Sequence, residues 1–157
     1  MSERVYLFPA WVRLWHWLNA ALILVLAATG LSLHYSDPKL PLLDFELAVR
    51  IHNACGIALA VTYLFFLAAN AKSGNWRHFL VLGPHVGQRL RAQLAWYAWG
   101  IFQGAPHPHE PSPDAPFNVL QALTYAGVMY GLMPVLIGSG LVFLYPELAP
   151  DQLFGFD

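Results

Sequence analysis

RLWHWLNAALILVLAATGL, residues 13–31, decides the fold: it is almost wholly apolar, yet it carries a histidine near its leading edge. About 20 apolar residues as helix cross a hydrocarbon core, so the stretch reads as a membrane span. An ionisable side chain inside a span is costly and faces protein, water or a bound group. What His16 faces is therefore the first question about function.

The rest of the chain agrees with a bilayer setting. Of 157 residues, 57% are hydrophobic and 11% charged, with a positive mean hydropathy, against about a quarter charged in a soluble domain. Three segments lack Asp, Glu, Lys and Arg for long enough to span: those between Arg13 and Asp37, Arg50 and Lys72, and Asp114 and Glu147. The predicted fold class is all-α, a transmembrane helical bundle with spans near 12–35, 48–70 and 117–145. An inner interfacial and loop region occupies 71–116, and 1–157 forms a single membrane domain. Pro134 lies inside the third segment and predicts a kink, a tilt or an end projecting past the headgroups. No period-2 pattern supports barrel strands. The first segment is read as an uncleaved span, because its apolar run is too long for a signal h-region, although LAATG resembles a weak cleavage site.

A formal charge of −1 offers no basic patch for nucleic acid. Cys55 is the one cysteine, which excludes an intrachain disulfide and a thiolate cluster; it reads as a small buried hydrophobe. Bases gather before the first span (Arg4, Arg13) and between the second and third (Lys72, Arg77, Arg89, Arg91). The connection between the first two spans mixes Asp37, Asp44 and Glu46 with Lys39 and Arg50, and the tail has acids only. The positive-inside rule then puts the N-terminus in the cytoplasm and the C-terminus outside. Within the inner loop, VGQRLRAQLAWYAWGIF suits a helix at headgroup level. GAPHPHEPSPDAP reads as a solvated, flexible connector, since the His107-x-His109 pair lacks a third metal ligand.

His16 lies just inside the inner end of span one and His52 just inside the outer end of span two. At helical rise His16 and His34 are about 27 Å apart, and His34 is level with the start of span two. His16 and His52 thus belong to two levels of the bilayer. Arg13 lies three residues before His16 and Arg50 two before His52; Ala20, Ala27 and Gly30 follow on the first helix, Gly56 and Ala60 on the second. An imidazole, a strip of small residues and an interfacial cation suit a haem: the nitrogen ligates iron, the small residues admit the porphyrin, and the cation pairs with propionates. Plain helix packing and interhelical hydrogen bonding account for the same features, as for Gly127-x-x-x-Gly131 on span three. The recurrence at two depths favours the cofactor. His34 reads as an interfacial residue, with a pairing to His52 as the alternative.

RLWHWLNA followed by TGL, then RIHNACG, then PFNVLQALTY before a third span, resembles the di-haem cytochrome b membrane subunits of bacterial respiratory enzymes. These include the b-type subunits of nickel–iron hydrogenases, formate dehydrogenases and thiosulfate reductases, and bacterial cytochrome b561. The resemblance covers nearly the whole chain and rests on R-x-x-H-W and on Phe117, Asn118 and Gln121. It is nearest to the thiosulfate-reductase-like branch. It implies four or more spans holding two b haems, each iron with two axial histidines. The position of His16 ligates the cytoplasmic-side haem and that of His52 the outer one, both partners coming from a further span. This chain stops at Asp157 without such a span, so it reads as an N-terminal fragment; ligands from another chain, or vestigial sites, are the alternatives.

The function so implied is a membrane-anchoring electron-transfer subunit of a respiratory oxidoreductase in the bacterial inner membrane. It passes electrons between periplasmic iron–sulfur and catalytic subunits and the quinone pool. Asn19, Asn118 and Gln121 lie at the inner level and are candidates to contact quinone or haem, with helix capping as the competing role. A stand-alone cytochrome b561 is the nearest alternative. A cofactor-free anchor or assembly protein is the alternative from another class.

Overall fold

The computed structural model describes residues 7–35, 43–80 and 84–148; Arg4, Asp37, Lys39 and the closing LFGFD lie outside them. The described residues are helical with no strand. Helix α1, Ala10–His34, and helix α2, Phe45–Ser73, are each long and apolar enough to cross a membrane. So is the helical run Val119–Leu144, which comprises α4, Val119–Gly127, a π turn at Val128–Leu132, and α5, Met133–Leu144. Three candidate spans therefore stand where the charge-free segments predict them.

Local chemistry sets the ends. Asp44 opens α2: its Oδ1 accepts the Leu47 N–H at 3.0 Å and its carbonyl the Ala48 N–H at 2.8 Å. That arrangement satisfies donors a helix start leaves free. Gly74, at φ 73°, ends α2 in the left-handed conformation that a Cβ disfavours. Asn118 opens α4 through a reciprocal cap: its side chain accepts the Gln121 N–H at 2.9 Å, and the Gln121 Oε1 accepts the Asn118 N–H at 3.1 Å. Pro134 has no N–H to return to the preceding turn, and the ladder opens into the π turn just before it.

Two compact units emerge. The first comprises Met1–Val12 and Ala68–Leu132. Here helix α3, Val86–Ala98, packs on α4, and α4 packs on a 3-10 turn at Asn75–Phe79. Phe117 gathers the rings of Phe8, Phe79 and Tyr125 at centroid distances of 5.4, 5.6 and 4.9 Å. Buried Asn70 donates from Nδ2 to the Tyr130 hydroxyl and accepts the Asn75 Nδ2 at 2.8 Å. A helix, α3, is present where the sequence predicts one.

The proline-rich connector after α3 has no regular structure, but it is tied down. The Trp96 indole donates to the Ala105 carbonyl at 2.9 Å, Gln93 Nε2 meets His107 Nε2 at 3.2 Å, and His109 Nε2 donates to the Ala115 carbonyl at 3.1 Å. Composition alone suggested a loose loop because these partners are distributed over α3 and the connector itself.

The second unit comprises Arg13–Leu67 and Met133–Asp157. Its core joins α1 to α2: Trp15 stacks on Phe66 at 4.1 Å and donates its indole N–H to the Thr62 carbonyl at 2.9 Å. Leu59, Tyr63 and Ala48 are buried with them. Asn19, Thr29 and Ser32 are buried on α1 too, so this helix covers a polar strip as well as an apolar one. Within a bilayer such polar groups must find partners inside the protein.

Candidate functional site

His52 sits on the second turn of α2, half-buried, with its ring against α1. Its Nδ1 lies 2.8 Å from the Thr29 hydroxyl oxygen. That hydroxyl is also 2.8 Å from the Val25 carbonyl and 3.2 Å from the Leu26 carbonyl. Carbonyls only accept, so the single threonine proton is directed to the backbone and its lone pairs receive the Nδ1–H of the imidazole. The reverse assignment would leave two acceptor oxygens 2.8 Å apart with no proton between them. His52 is thus the Nδ1–H tautomer, and its Nε2 keeps a lone pair with no hydrogen-bond partner among the described residues. A metal-binding imidazole has this form, with one nitrogen anchored by a hydrogen bond and the other free.

Gly30 completes the setting. A Cβ built on it would meet His52 Cε1 at 3.5 Å and Nδ1 at 4.0 Å. The imidazole therefore rests its Nδ1–Cε1 edge on the Thr29–Gly30 step of α1. Gly30, expected from the sequence to admit a porphyrin, also lies beside the ring of His52. Gly56 has nothing within 4 Å of such a Cβ, and its surface is open.

Other expected residues are placed as follows. His16 is exposed, lies edge-on to the Trp17 ring at 5.6 Å, and has no hydrogen bond among the described residues. Arg13 is exposed at the same end of α1. Arg50 is exposed and ion-paired with Glu46 one turn away. His34 is exposed, edge-on to Tyr35 at 4.7 Å. Asn19 is buried and donates from Nδ2 to the Trp15 carbonyl at 2.9 Å, while its Oδ1 is buried without a partner. Asn118 and Gln121 are engaged in capping α4, and Asn118 Nδ2 also reaches the Tyr97 hydroxyl at 3.4 Å. Asn118, Arg77, Arg89, His109 and Asp114 line a cavity of about 290 Å³ in the first unit; Gln121 does not line it. Gly127 and Gly131 have nothing within 4 Å of a built Cβ, so no described helix packs on that pair.

Thr29 is the residue that sequence reasoning passed over. The usable signal was depth: a hydroxyl near the C-terminal end of span one falls level with a histidine near the start of an antiparallel span two.

The profile of the prokaryotic cytochrome b561 family matches residues 7–156. The chain belongs to that family. Membership implies a b-type haem and makes this a membrane protein of the b-type cytochrome group. Among curated relatives, "Putative cytochrome YdhU" of Escherichia coli (strain K12) is 38% identical over 154 residues, which is 98% of this chain and 58% of that protein. The chain thus spans less than two thirds of the length of this relative. No solved structure matches it. The fit to the implied haem is carried by His52, whose free Nε2 and anchored Nδ1 suit an axial ligand.

Proposed function

We propose that the chain is a ligand-bearing part of a b-type cytochrome that carries electrons across the bacterial inner membrane. It exchanges them between periplasmic iron–sulfur and catalytic subunits and the quinone pool. Haem, when bound, supplies a one-electron carrier whose iron is held by imidazole. His52 offers Nε2 to the outer haem iron and His16 its imidazole to the inner one. Arg13 and Arg50 are the cations for the propionates, with Arg50 leaving Glu46 to do so, and Gly56 is the open surface beside the outer group. The cavity bordered by Asn118, on the side the positive-inside rule assigns to the cytoplasm, is the candidate for the quinone headgroup. Asn19, whose buried Oδ1 lacks a partner, is the polar group beside the inner level.

The observation that carries this reading is the anchored tautomer of His52. The bond to Thr29 occupies Nδ1 and leaves Nε2 available, as an axial ligand requires. A reduced-minus-oxidised spectrum of the purified full-length protein tests it. A b-type α band with two haems per chain is expected, and His16→Ala and His52→Ala should each remove one. Absence of the band, or two haems retained in both variants, overturns the assignment. Co-purification of an iron–sulfur subunit separates this reading from a stand-alone carrier.

A further inference from the structure

We propose that Thr29 is a positioning residue for His52. Its hydroxyl fixes the imidazole as the Nδ1–H tautomer and thereby lowers the reduction potential of the haem iron that His52 ligates. This rests on His52 being a haem ligand, and the experiment below separates the two.

The contacts of the hydroxyl favour one direction for the bond to His52. Thr29 is almost fully buried, at 2% exposure, inside a helix that crosses the hydrocarbon, where water cannot replace a missing partner. Its proton goes to the Val25 carbonyl at 2.8 Å, and its lone pairs receive His52 Nδ1–H at 2.8 Å. The carbonyl bond holds the hydroxyl rotor, so the acceptor direction toward His52 is set before any ligand binds. At the next position Gly30 leaves the ring room, since a Cβ built there would lie 3.5 Å from His52 Cε1. The imidazole is thus located by two consecutive residues of one helix, one polar and one without a side chain.

The electronic effect follows from the direction of the bond. Donation from Nδ1–H leaves more electron density at Nε2 and makes the ring a stronger donor to iron. A stronger donor stabilises the ferric state more than the ferrous one, which lowers the potential. His16 has no hydrogen-bonded partner among the described residues, so its haem lacks this bias. The two haems therefore differ in potential partly because one imidazole is anchored and the other is not.

The test is an equilibrium redox titration of the full-length, haem-loaded protein with Thr29→Val and Thr29→Ser. Valine keeps the shape and removes the hydroxyl; serine restores it. One of the two haem components in Thr29→Val should shift severalfold toward the reduced form, up to about tenfold, which is ~59 mV for a one-electron couple. The other component should stay in place, and Thr29→Ser should titrate as the parent does. Adding His16→Ala should leave the shifted component as the one that remains. The low-spin ferric resonance of that haem should move in parallel, a signature that loosened packing alone does not predict. Loss of one haem in Thr29→Val with recovery in Thr29→Ser also supports the positioning role. Superimposable titrations of the parent and Thr29→Val overturn it while leaving the haem assignment intact. A parent protein without haem overturns both.

Discussion

The environments of His52 and His16 differ although both histidines stand just inside the ends of their helices. His52 has a hydroxyl on one ring nitrogen and a glycine under its edge, both supplied by α1. His16 has the Trp17 ring beside it and is otherwise exposed. Packing one helix against another orients an imidazole where the neighbouring residues are small or carry a hydroxyl. At the N-terminal end of α1, the helices α1 and α2 meet through the large rings of Trp15 and Phe66, and His16, the next residue round the helix, is not part of that contact. One histidine is held by the helix packing; the other stands beside it.

Changes at three positions break or sharpen that contrast. The largest effect is expected from Gly30→Leu, which crowds the His52 ring with a bulky side chain; under the proposed assignment it should remove from the spectrum the haem that His52 ligates. Gly30→Ala, with its Cβ at an ordinary 3.5 Å from Cε1, should keep it. Next comes the contact of Trp15 with Phe66. Trp15→Ala removes the stack on Phe66 and the bond to the Thr62 carbonyl, and should cost about 3–5 kcal/mol in unfolding followed in detergent. Trp15→Phe keeps the stack and loses only the hydrogen bond, about 1 kcal/mol. The smallest effect belongs to Glu46→Gln. The pair with Arg50 is exposed, and its loss should change stability by less than about 1 kcal/mol, in a salt-dependent measurement.

The spans were legible because length and lack of charge suffice to specify them, and His16 and His52 stood out because an imidazole is rare in such a setting. The cap formed by Asn118 and Gln121 was legible as one of two roles, since Asn followed three residues later by Gln is a helix-start pattern. Gly30 was read as room for a cofactor; the structure adds that a Cβ there would lie in ordinary contact with the ring of His52. That contact depends on how α1 meets α2, which no local pattern encodes. Thr29 was missed for the same reason: a threonine within an apolar helix satisfies itself on its own backbone, and only the second helix shows what its lone pairs do. The tied connector was hidden because its restraints are single side-chain bonds to scattered carbonyls and rings.

The π turn at Val128–Leu132 has a consequence for how this sequence tolerates change in length. A π turn holds one residue more than an α turn over nearly the same rotation. Deleting one residue there should be absorbed by closing the bulge into ordinary helix, with the flanking side chains still facing as they did. The same deletion in the middle of α1 would swing everything beyond it by about 100° and carry Thr29 away from His52. Shortened homologues should therefore show their gap at 128–132, and the first helix should never be gapped.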